Sequence, residues 1–79
     1  NVPAIDALTR IYERGVKAGV FRSAIDVIDL HMSISALSFF SVANQHTFSL
    51  IFKRDLESPA AIVARRDSIV EMVVRYVRK

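Results

Sequence analysis

An all-α domain of four helices, at about residues 3–18, 27–43, 45–53 and 59–78, is what this sequence predicts. Apolar residues recur at three- and four-residue spacing, and no stretch alternates like a half-buried strand. Two helix starts are written in cap chemistry, at Asp26 and at Ser58-Pro59. Finally, 52% of the 79 residues are apolar, more than so short a chain encloses by itself. Helices that associate with a second copy reconcile the three.

The first helix opens at Val2-Pro3, where proline suits an initial turn. Ile5, Leu8, Tyr12 and Val16 follow as one apolar stripe. Gly15, inside this helix, costs it about 1 kcal/mol relative to alanine and suits a close approach. Ala18-Gly19 ends the helix, because glycine takes the left-handed closing conformation without penalty. Val20-Phe21-Arg22 reads as a short extended link, with Phe21 as a plug into the core. Asp26 then caps the second helix, and Asp29 stands where the helix dipole favours negative charge.

From Leu30 to Phe52 there is no Asp, Glu, Lys or Arg. That length raises a membrane span. Five serines, Asn44, Gln45, His46 and Thr47 make the stretch too polar for lipid, and a helix covered by protein is expected instead. The serines among Ile34, Leu37 and Phe40 would let another helix come close. Around Ala43-Asn44 the stripe changes phase, so a short third helix is expected from about Gln45 to Lys53, followed by a loop over Arg54–Glu57. In the last helix Ile62, Ile69, Val73 and Tyr76 form one stripe, with Val63, Val70 and Val77 beside it. Arg65, Asp67, Glu71, Arg75 and Arg78 are expected to point away from it.

The net charge of +3 invites a nucleic-acid partner, but the basic residues stand four away from acidic ones: Asp6/Arg10, Glu13/Lys17, Glu71/Arg75. Such pairs describe a solvated helix face. Arg65-Arg66 is read the same way. No recognition helix is found, since Gln45–Phe52 carries no basic residue. Without cysteine there is no disulfide or thiol chemistry. His31 and His46 lack the spacing and the third partner of a metal site, so no metal and no cofactor is expected. No serine is marked as a nucleophile, and the chain is not expected to be an enzyme.

Two places invite a ligand. Asn44-Gln45-His46-Thr47 lies between Phe39-Phe40 and Phe48, which describes polar groups inside aromatic walls. The plainer reading gives Asn44 and Thr47 to backbone groups at a helix junction and the phenylalanines to the core. Arg22 would clamp an anion, or else pair with Asp26 or Asp29. Arg22, Phe39, Asn44, His46 and Phe48 are the candidate ligand contacts.

Taken in order, Glu13-Arg14-Gly15-Val16-Lys17-Ala18-Gly19-Val20-Phe21-Arg22, Asp26–His31, Phe39–Phe48 and Ile51–Leu56, closed by a long helix, resemble C-terminal domains of TetR-type transcription regulators. The resemblance covers nearly the whole chain. It implies that residues 1–79 are the effector-binding and dimerisation part of a cytoplasmic, bacterial repressor, with the DNA-binding helices expected before Asn1. It also implies a homodimer packed through the long helices at about Val27–Ala43 and Pro59–Arg78. The expected interface residues are Leu30, Ile34, Leu37, Ser41, Ile62, Ile69, Val73, Tyr76 and Val77. The segment Asn44–Phe48 is similar to that of members responding to small aromatic or heterocyclic acids, which makes such an acid the expected effector. Two other readings stand beside this one: a helical module that only dimerises, and a small basic protein meeting nucleic acid through Arg65, Arg66, Arg75, Arg78 and Lys79.

Overall fold

The computed structural model of the chain describes residues 2–79. Its elements are α1 (Val2–Lys17), α2 (Val27–Phe52) and α3 (Pro59–Val77). Among the described residues there is no strand, only an isolated antiparallel bridge between Phe21 and Arg78. The all-α class holds, whereas the division into four helices is corrected to three.

The expected break at residues 43–45 does not occur, and α2 runs through it. Neither glycine nor proline stands there. Polar side chains in and around this segment bond back one turn along the same helix. Asn44 Nδ2 donates to the Phe40 carbonyl at 3.1 Å, Ser41 Oγ to Leu37 at 2.8 Å and Ser49 Oγ to Gln45 at 2.7 Å. The apolar stripe changes phase because the neighbours change. Val27, Leu30 and Ile34 join a core with side chains of α1 and α3. Further along, Phe40, Phe48 and Phe52 meet one another in tilted pairs at 5.4 and 5.6 Å.

Local chemistry sets the helix ends. Asp26 Oδ1 accepts from the amides of Ile28 (2.9 Å) and Asp29 (3.3 Å) at the start of α2. Ser58 Oγ accepts from the Ala61 amide at 3.1 Å, with Pro59 in the first turn of α3. Lys53 closes α2 in the left-handed region, φ 54°, and Gly19 follows α1 with φ 76°.

The core lies at one end of the molecule. Tyr12, Ile25, Leu30 and Val77 are buried together, with Leu8, Val16, Phe21, Ile34 and Val73 packed around them. Phe21 is the plug the sequence promised, and it explains Gly15. A methyl group built on Gly15 would fall inside the Phe21 ring. Hydrogen bonds tie the same end across the chain. The Arg22 amide donates to Val77 at 2.8 Å and the Lys79 amide to Val20 at 2.9 Å. The Tyr12 hydroxyl donates to the Arg22 carbonyl at 2.6 Å and accepts from the Ile25 amide at 3.0 Å. The opposite end is open. A radius of gyration of 15.0 Å, against about 12 Å for a compact chain of this size, reflects how far α2 and α3 extend beyond the core.

Candidate functional site

Beyond the core, α2 and α3 flank a groove of about 750 Å³, within the size range of small-molecule sites. It continues directly from the core, since Ile34 and Val73 belong to both. Phe40 and Phe48 form part of the α2 wall, and Ile62, Ile69 and Val70 part of the α3 wall. Arg65 and Arg66 are the charged residues of its lining, which includes no carboxylate. Arg65 Nε donates to Ser41 Oγ at 2.8 Å, and that hydroxyl donates on to the Leu37 carbonyl. The arginine is thereby held against α2.

The five expected ligand contacts do not converge. Arg22 sits at the core end, where its Nε donates to the Tyr76 carbonyl at 2.6 Å and its guanidinium lies 4.4 Å from the Tyr76 ring centroid. Neither Asp26 nor Asp29 is its partner among these contacts; it fastens the α1–α2 link to the end of α3. About 16 Å of helix separates Tyr76 from Arg65 at the groove. Phe39 is 75% exposed and takes no part in the tilted Phe40–Phe48 and Phe48–Phe52 pairs. Asn44 donates its amide to the Phe40 carbonyl, a backbone group as the plainer reading asked, but inside α2 rather than at a helix junction. His46 Nδ1 meets Glu57 Oε1 at 2.8 Å on the exposed α2–α3 turn. Of the five, Phe48 alone lines the groove.

The expected interface residues also divide. Leu30, Ile69 and Val77 are buried inside this chain, so they serve its own packing. Ile34, Ser41, Ile62 and Val73 line the groove, and Leu37 is half-buried on α2. Tyr76 is exposed beneath Arg22. Residues with no such assignment in the sequence form the most exposed apolar line on α2: Ile28, Met32, Phe39 and Leu50. Their spacings of four, seven and eleven put them on one helix face, opposite the buried Leu30 and the half-buried Ile34. Arg65 was expected to lie away from the apolar stripe as solvated surface; it is exposed, but its Nε reaches Ser41 on α2. Its one signal in the sequence was position, three after Ile62 and four before Ile69 on the apolar stripe.

α2 has the length and composition of a helix that could cross a membrane, and it is largely uncovered within the chain. A family model described as the tetracyclin repressor-like C-terminal domain matches residues 1–73. The chain belongs to this family. As a TetR-like C-terminal domain it is part of a TetR-type regulator, and one apolar helix does not by itself indicate a membrane protein. No curated protein and no solved structure gives a significant match to the chain. Among the described residues, the groove and the exposed α2 line are two apolar surfaces that the chain's own core leaves uncovered.

Proposed function

We propose that this chain is the dimerisation and effector-sensing domain of a cytoplasmic TetR-type repressor, with α2 at the subunit interface and the α2–α3 groove as the sensing site. The observation that carries the reading is the uncovered line on α2, where Ile28, Met32, Phe39 and Leu50 are each more than half exposed. Apolar surface of this extent on a small domain is stabilised by a second copy. A two-fold axis beside α2 would pair the line with itself, the self-complementary arrangement of homodimers. DNA would be met by a separate domain, and a ligand acts by binding two dimer states unequally.

This dimer differs from the one expected from sequence, because Leu30 and Val77 are already enclosed. Sedimentation equilibrium over a concentration series tests it. Wild type is expected to sediment as a dimer, and Phe39→Glu as a folded monomer with unchanged helix content. A wild-type monomer, or a Phe39→Glu dimer of undiminished affinity, counts against the α2 interface.

A further inference from the structure

We infer that the α2–α3 groove binds an apolar monocarboxylate, with Arg65 as the group that receives its head. The inference rests on the sensing role proposed above; it places the carboxylate in the groove and names the residue that selects it. Three features of the groove point the same way. Its walls are hydrocarbon and aromatic, which suits an apolar body. Its charged groups are guanidinium only, and no carboxylate lies in the lining to neutralise them. Arg66 has Asp67 beside it at 3.6 Å, whereas Arg65 has no carboxylate partner among the described residues.

Arg65 is also oriented. Its Nε–H is bound by Ser41 Oγ, whose own hydrogen goes to Leu37, so the serine can only accept. Fixing Nε leaves the two terminal nitrogens of the fork for an acceptor with two oxygens, which a carboxylate supplies. Phe40 and Phe48, tilted together at 5.4 Å on the facing helix, offer ring surface to the ligand's body. A neutral ligand of the same shape would bury its apolar part equally well but leave the guanidinium unanswered.

Isothermal titration of the full chain with 4-phenylbutanoate and with decanoate, each against its primary amide, tests this. The acids are expected to bind at least about tenfold tighter than the amides, the scale of a charge-assisted hydrogen-bonded pair. Arg65→Gln is expected to abolish that preference while leaving amide binding unchanged, and Arg65→Lys to restore it in part. In the wild type the Arg65 Nε–H resonance should move on adding acid and stay still on adding amide. Val70→Trp, which fills the groove from an exposed position, should weaken all four ligands. If acid and amide bind equally, the carboxylate assignment is overturned and the sensing groove stands. If none binds and Val70→Trp instead breaks the dimer, the groove is a subunit interface and both readings fall.

Discussion

The two ends of this molecule are built on opposite principles. At the α1 end, Tyr12, Ile25, Leu30 and Val77 are buried together; the Tyr12 hydroxyl ties α1 to the α1–α2 link, and the amides of Arg22 and Lys79 tie that link to the end of α3. At the other end, α2 and α3 are joined by a well-capped turn and one arginine–serine contact, with a groove between them. Phe40 and Phe52 there are more than half exposed although they belong to the aromatic ladder. One end closes on its own chain. The other keeps its apolar groups available, as the proposed sensing groove and subunit interface require. The stability of the domain is therefore expected to reside in the closed end and its binding properties in the open one.

The sharpest way to break the contrast is Leu30→Ala, which removes the most deeply buried side chain of the core, 3% exposed. It is expected to cost about 2–5 kcal/mol in urea unfolding, as buried leucine truncations do. A cost below about 1 kcal/mol would mean that the closed end is not where the fold is held. Next comes Tyr12→Phe, which leaves the ring packed and strips the Ile25 amide and the Arg22 carbonyl of a shared partner. About 1–3 kcal/mol is expected from the same unfolding experiment, because a buried donor loses its acceptor.

Gly15→Ala follows. Alanine gains about 1 kcal/mol of helix propensity, but its methyl group displaces the Phe21 ring, and overpacking of this kind costs about 1–3 kcal/mol. A net loss in thermal stability is expected; a net gain would show that Phe21 leaves its seat without cost. At the open end, Ser58→Ala should cost about 1 kcal/mol through the lost cap of α3. Glu57→Gln should cost less than about 0.5 kcal/mol in the same assay, since the His46–Glu57 pair lies in solvent. If that last substitution matched Tyr12→Phe in effect, the two ends would be equally structural and the contrast would fail.

The helix caps were legible because they are local. A serine followed by proline, or an aspartate before an apolar run, satisfies amides two or three residues away, and both starts appear where the residues ask for them. Phe21 and Gly15 were legible as a plug and as a place of close packing, though not as partners for each other. The candidate site was far less legible. Arg22 invited an anion, and whether it would find Asp26, a ligand or Tyr76 depended on a residue 54 positions away. Asn44 looked like part of a junction, because a polar side chain bonding back one turn and one ending a helix are the same letter.

By itself, then, the sequence determined the all-α class, the ends of α1 and α3, the start of α2 and the family, all of which follow from near-neighbour chemistry and ordered pattern. Only the tertiary structure decided that α2 is one helix, that Leu30 and Val77 are interior, and that Arg65, though exposed, reaches across a groove to Ser41 on α2. An apolar stripe says that a helix must be covered; which residues its own chain covers depends on where the other helices cross it, and spacing along one chain does not carry that distance.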